Sequence, residues 1–211
     1  METFFTVNRW LHILAGFIGF FVAPLALATR KGSPAHRRWG QVFFGAMVVA
    51  GGTALVGAQR IHSLFLFLTA IFSLYMAVFG YRSLYLKRLA WDARVAWFDW
   101  LTAGLGVCVF AGTMAYGLKQ GNIPVLVFGS IGAITALRQL LGYRRAGIWN
   151  KQQWLLNHIS GFMAAYIAAV SAFSVTSLHF IPPPINFLWA TVVGVPVIIW
   201  WHRRVRKGNW Q

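Results

Sequence analysis

Residues 185–207 read INFLWATVVGVPVIIWWHRRVRK, an apolar run that is followed at once by a basic cluster. A helix needs about 20 apolar residues to cross a bilayer, with a range that begins near 17. The cytoplasmic ends of such helices are enriched in lysine and arginine. This stretch therefore predicts a membrane-spanning helix whose carboxyl-terminal end lies in the cytoplasm.

The same alternation of apolar runs and basic clusters extends through the whole chain. Of the 19 lysines and arginines, all but Arg9, Arg60 and Lys119 fall into four clusters at alternate connections. The clusters are Arg30, Lys31, Arg37 and Arg38; Arg82, Lys87, Arg88 and Arg94; Arg138, Arg144, Arg145 and Lys151; Arg203, Arg204, Arg206 and Lys207. Because basic residues favour the cytoplasmic side, this spacing predicts the orientation of every span.

The predicted fold is an all-α, polytopic transmembrane bundle of seven helices in a single integral membrane domain, residues 1–211. Its N-terminus is expected outside and its C-terminus in the cytoplasm. The spans are expected at approximately residues 7–29, 39–58, 63–85, 96–118, 123–143, 153–176 and 185–201.

Composition narrows the range of functions. Charged residues make up 10% of the chain and hydrophobic residues 58%, and the formal net charge is +16. Nucleic-acid binders carry such charge on a soluble basic face, whereas here it is confined to helix ends and short connections. Anionic lipid headgroups are therefore the expected partner, rather than nucleic acid. With only three acidic residues, a carboxylate-pair enzyme or a calcium site is not expected.

Ionisable residues within a membrane are costly and therefore mark functional candidates. Asp99, Arg138 and His158, which follows Asn157, all lie within about 10 Å of the predicted cytoplasmic boundary at 1.5 Å rise per residue. We expect Asp99 and Arg138 to form an ion pair that either fastens two spans or serves function. We expect His158 to point into the bundle, as a ligand or relay residue or as a cap on a backbone carbonyl. Tyr75 completes this set of candidates.

Histidines supply a second set of candidates, because imidazole is a common metal ligand and two histidines can hold haem iron axially. His12 and His62 lie at matching depth near the predicted outer face, and His36 and His158 near the inner face. Haem b or a metal ion is therefore a candidate cofactor. The alternative is that these rings bind headgroups, water or backbone carbonyls.

Small residues four positions apart predict close helix packing. They occur in span four at Gly104, Cys108 and Gly112, and in span six at Gly161, Ala165 and Ala169. Prolines 24 and 196 fall inside spans one and seven, where they are expected to kink the helices.

Several segments resemble a family of bacterial multi-pass proteins that are described only as predicted membrane proteins with a domain of unknown function. They are residues 11–16 (LHILAG), 28–32 (ATRKG), 36–40 (HRRWG), 72–75, 80–82, 99–100, 157–158 and 164–168. The resemblance spans nearly the whole chain and implies a compact helical bundle in a bacterial inner membrane, without implying a catalytic role. Some members follow the histidine of the sixth span with Arg-Met, and Ser160 to Met163 depart from that pattern.

Three functional hypotheses remain open at this point, and so does the question of enzymatic activity. The first is a redox or ligand-binding protein that holds a haem, metal or quinone between helices. The second is a transporter or proton-coupled channel that uses an Asp99, Arg138 and His158 cluster. The third is an accessory subunit of a membrane complex, for which a homodimer or a heteromeric partner is open.

Overall fold

The computed structural model describes residues 1–88, 95–145, 151–182 and 185–208. Within these ranges it contains seven α-helices, all long and apolar enough to cross a membrane. They are α1 (Glu2–Ala28), α2 (Pro34–Arg60), α3 (Leu64–Arg82), α4 (Trp97–Lys119), α5 (Ile123–Arg144), α6 (Gln153–Ser177) and α7 (Ile185–Arg206). The seven-span prediction is confirmed, and the protein is an integral membrane protein.

Three helices are longer than their apolar runs. α1 begins at Glu2, α2 begins at Pro34, and α7 continues to Arg206. At the start of α2, the Ser33 hydroxyl accepts a hydrogen bond from the His36 amide at 3.2 Å, and this N-cap starts the helix before the apolar run. Basic residues at a helix C-terminus interact favourably with its dipole, which accounts for the extension of α7. The basic side chains therefore project from helix ends as well as from connections.

The helices pack in two groups. The larger group consists of α1, α2, α3, α6 and α7, which contact one another chiefly in the pairs α1–α2, α2–α3, α3–α6 and α6–α7. The helices α4 and α5 pack on each other and contact α3 chiefly through α5. The buried core between them is rich in phenylalanine, including Phe43, Phe72, Phe110, Phe128 and Phe187. We call the end of the bundle where α1, α3, α5 and α7 end, and where α2, α4 and α6 begin, the basic face.

Glycines allow two helix pairs to touch along their backbones. A Cβ added at Gly161 of α6 would lie 2.5 Å from the Gly80 backbone of α3, and one at Gly117 of α4 would lie 2.5 Å from the Leu126 amide of α5. The close packing predicted for α6 is thus confirmed.

The close packing predicted for Gly104, Cys108 and Gly112 of α4 is wrong. Gly104 and Gly112 have open space where a Cβ would stand, and Cys108 is exposed. The packed face of α4 instead carries Gly106 and Gly117. Spacing alone could not tell which of these two small-residue faces turns inward.

Candidate ligand-binding site

A cavity of about 520 Å³ opens at the basic face. It lies between the ends of α1, α3 and α7 and the beginnings of α2 and α6. Most of its wall is apolar, with Phe43, Phe162, Met163 and Tyr166 among the lining side chains. Ligand pockets in proteins typically measure about 300–1,000 Å³ and are lined mostly by apolar side chains. In both respects this cavity resembles a small-molecule site.

Two histidines from different helices share this cavity. The rings of His36 on α2 and His158 on α6 are 6.5 Å apart between centroids, with planes at 80°. The Nδ1 of His36 is 2.9 Å from the Ala26 carbonyl oxygen, and the Nδ1 of His158 is 3.1 Å from that of Gly80. Because a carbonyl only accepts, each Nδ1 donates, and in a neutral ring the lone pair is then on Nε2.

Helix ends explain why these carbonyls can accept from the histidines, and the Ala26 carbonyl also accepts from the Thr29 hydroxyl at 2.8 Å. The last four carbonyls of an α-helix have no partner within the helix. Ala26 lies in the last turn of α1, and Gly80 lies in the last turn of α3. His36 and His158 therefore cap two helix C-termini. The expectation that His158 points into the bundle and bonds to another span is confirmed, and so is its role as a carbonyl cap.

Three cations also line the cavity. The Nζ of Lys31 lies 5.2 Å from the centroid of the Trp201 ring, and the Nζ of Lys87 lies 4.7 Å from that of Trp154. The Nε of Arg37 donates to the Gly32 carbonyl at 3.1 Å. Burial lowers the pKa of Lys31, which lies in the connection between α1 and α2. These contacts are with rings and carbonyls, so they leave the positive charge uncompensated.

The carboxylates are engaged elsewhere, so far as the structure describes them. Glu2 pairs with Arg60 at 3.0 Å, at the opposite end of the bundle. Asp99 pairs with Arg82, and Asp92 lies outside the described residues. In the described ranges, the side chains that line the cavity include no carboxylate.

The predicted ion pair between Asp99 and Arg138 is wrong. Asp99 is 1% exposed and accepts from Nε and Nη2 of Arg82 at 2.9 and 2.8 Å. Arg138 is exposed on α5. Arg82 is the last residue of α3 and meets the first turn of α4 at the same face, whereas Arg138 is on the outward side of α5. The predicted third span, residues 63–85, already contained Arg82, and this placement could have identified the partner.

Tyr75 and Asn157 belong to separate contacts. The Tyr75 hydroxyl donates to Gln139 Oε1 at 2.7 Å, and Gln139 Nε2 donates to the Tyr143 hydroxyl at 2.5 Å. This buried chain joins α3 to α5. Asn157 accepts from Gln153 of its own helix at 2.8 Å. Neither Tyr75 nor Asn157 lines the cavity.

The histidines predicted at the outer face are in different settings. His12 Nδ1 lies 2.9 Å from the Ala50 carbonyl and 3.2 Å from the Thr53 hydroxyl, so it fastens α1 to α2. His62 is exposed in the turn after α2, with a φ of 51°. Over the ranges that the structure covers, no three His, Cys, Asp or Glu side chains gather as a metal site.

The structure thus assembles one of the two predicted histidine pairs, His36 with His158. Sequence reasoning missed Lys31, Arg37 and Lys87 as members of the same site, because it treated them as solvated charges of the basic clusters. Their position next to apolar spans at one face was the available clue.

Comparison with known proteins adds no further assignment. No protein-family model, no curated protein and no solved structure matches this chain.

Proposed function

We propose that this integral membrane protein binds an anionic amphiphile between its helices, in the cavity at the basic face. The observation that carries the proposal is the set of three cations, Lys31, Arg37 and Lys87, on a mostly apolar cavity without a lining carboxylate among the described residues. Lys31 is partly buried, and buried charge is costly unless an opposite charge compensates it. Arg37 and Lys87 are exposed and add to the positive potential at the cavity. A ligand with an acidic group and an apolar body satisfies both parts of the wall.

Among the hypotheses that the sequence left open, the contacts favour ligand binding over transport. The proposed relay needed Asp99, Arg138 and His158 together. Asp99 is instead held by Arg82, and His158 by the Gly80 carbonyl. A quinone has a neutral headgroup and would leave the three cations uncompensated, so an acidic ligand fits better.

We further propose that the basic face is cytoplasmic, in a bacterial inner membrane. The support is the excess of lysine and arginine at this end, which is the usual bias of cytoplasmic loops. Anionic headgroups at that surface attract basic segments. In this orientation the cavity opens towards the cytoplasm and the inner leaflet.

Equilibrium binding to purified protein in a non-ionic detergent tests the proposal. The probes are oleate and oleyl alcohol, which share a chain and differ in charge. We expect saturable binding of oleate that is clearly tighter than that of the alcohol. Lys31→Gln, Arg37→Gln and Lys87→Gln should each weaken oleate binding about fivefold, since one cation near an anionic group contributes about 1 kcal/mol.

Lys119→Gln is the matched control, because Lys119 ends α4 at the opposite end of the bundle. It should leave oleate affinity unchanged. Equal affinity for the acid and the alcohol, or insensitivity to all three cavity substitutions, would rule out an anion-binding cavity.

A further inference from the structure

The histidine pair has a property that helix capping does not require. His36 and His158 cap different helices, yet their rings stand 6.5 Å apart at one cavity. Two imidazoles on opposite sides of one metal ion, with metal–nitrogen bonds of about 2 Å, have ring centres roughly 6 Å apart. The observed separation therefore fits two imidazoles that share one ion between them.

The backbone contacts also favour ligation through Nε2. Histidines that bind metals usually donate their other ring N–H to a carbonyl or carboxylate, which fixes the tautomer and the ring orientation. His36 and His158 both do this through Nδ1, to Ala26 and Gly80. Each ring thus keeps the Nε2 lone pair for a ligand.

The number of protein ligands identifies the kind of metal centre. A bare zinc ion takes four ligands in most protein sites, and the described residues supply no cluster of three. Haem iron takes four ligands from its macrocycle and needs only axial ligands from the protein. Two histidines are therefore sufficient for haem, whereas the four protein ligands of a structural zinc site are not present among the described residues.

The remaining wall of the cavity suits the other parts of a haem. Phe162 packs 4.7 Å from the His158 ring, and Phe43 packs 5.3 Å from Phe162, between centroids. These aromatic side chains offer an apolar surface to a macrocycle. Lys31, Arg37 and Lys87 can pair with its two propionates, which make haem an anionic amphiphile.

We propose that the cavity binds haem b with His36 and His158 as its axial ligands and with its propionates towards the three cations. This inference rests on the proposed function and specifies the ligand of the same cavity. It assigns His36 and His158 as the ligands and leaves His12 and His62 without a part in the site.

The test is the absorption spectrum of purified full-length protein titrated with hemin. Wild-type protein should take up one hemin per chain and show the Soret and visible bands of six-coordinate, low-spin, bis-histidine haem. His36→Gln and His158→Gln keep a side-chain N–H donor for the carbonyl caps. Each should convert the spectrum to that of high-spin or mixed-ligand haem and weaken hemin binding at least tenfold.

His12→Gln is the control, because His12 lies at the other end of the bundle and also bonds to a carbonyl. It should leave the hemin spectrum as in wild type. The unfolding temperature of all three variants in detergent should stay close to that of wild type, which shows that the bundle is still formed.

Each outcome separates the two proposals. Wild-type protein that binds oleate and gives no low-spin hemin spectrum overturns the haem assignment and leaves the amphiphile site standing. A low-spin spectrum that persists in both His36→Gln and His158→Gln overturns the choice of ligands. If wild-type protein binds neither oleate nor hemin, both proposals are overturned.

Discussion

At the scale of single residues, the Arg82–Asp99 pair is the clearest electrostatic contact within the bundle. Both carboxylate oxygens accept from one guanidinium, which also lies 4.5 Å from the Phe98 ring centroid. Such a two-bond geometry orients both side chains. The pair fastens the end of α3 to the beginning of α4, and this contact supports a structural role for Asp99.

Breaking this pair should destabilise the protein strongly. Arg82→Leu leaves the buried Asp99 carboxylate without its partner, and Asp99→Asn leaves the partly buried Arg82 guanidinium without its partner. Breaking such a pair costs about 3–5 kcal/mol. Arg138→Leu should change stability by less than about 0.5 kcal/mol, as is usual for exposed sites. Thermal unfolding in detergent measures all three. If Arg138→Leu lowers thermal stability as much as Arg82→Leu does, the partner of Asp99 has been assigned wrongly.

The sequence predicted some of these residues and missed others for a physical reason. His158 and Asp99 stand out because polar groups at membrane depth are rare, and His36 stands out because it could pair with His158 near the inner face. Depth along a helix follows from residue counting, whereas the direction in which a side chain projects depends on which faces of two helices meet. Arg138 has the predicted depth but faces outward, and for this reason the expected partner of Asp99 was wrong.

At the scale of the helices, the contact between α3 and α6 holds the histidine site in place. Gly80 and Gly161 let the two backbones touch, and the Gly80 carbonyl is also the acceptor for His158. One glycine therefore serves both the helix packing and the position of the ring. The approach of these backbones sets the depth at which His158 enters the cavity.

Replacing Gly161 by alanine should separate these helices. The added Cβ would lie 2.5 Å from backbone atoms of Gly80, which cannot move aside as a flexible side chain can. Overpacking of this kind costs about 1–3 kcal/mol, and hemin and oleate binding should weaken with it. Gly104→Ala is the control, because nothing lies within 4 Å of its Cβ position. Equal thermal stability of the two variants would contradict the close approach.

The presence of each helix could be predicted from the sequence, whereas the residues at which the helices begin and end could be predicted less well. Each span is an apolar run of bilayer length, and the bilayer requires its backbone groups to be bonded within the helix. The ends depend on local chemistry outside that run. The Ser33 cap starts α2 at Pro34 and brings His36 and Arg37 into its first two turns, next to the cavity.

At the scale of the whole molecule, orientation follows from charge. Lys87, Arg88, Lys151, Arg203 and Arg204 lie around one end of the bundle, and the short turns at the other end include His62 and Gly121. Lysine and arginine bias of this kind is typical of cytoplasmic loops. We therefore predict that the N-terminus is outside and the C-terminus is cytoplasmic.

Reporter fusions in a bacterial host measure this topology. A reporter that works only in the cytoplasm should be active after Gln211 and inactive when inserted after Gly121, which lies in the turn between α4 and α5. A periplasmic reporter should give the opposite result. Periplasmic activity after Gln211 would reverse the orientation and place the cavity at the outer surface.

If the cavity at the basic face is a binding site, a side chain that fills it should displace the ligand. Gly40 lines the cavity opposite Phe162, whereas Gly45 lies further along the same helix with open space around it. Oleate affinity should fall at least tenfold in Gly40→Leu and stay at the wild-type value in Gly45→Leu. If Gly40→Leu remains folded and binds oleate as tightly as wild type, the ligand does not occupy this cavity.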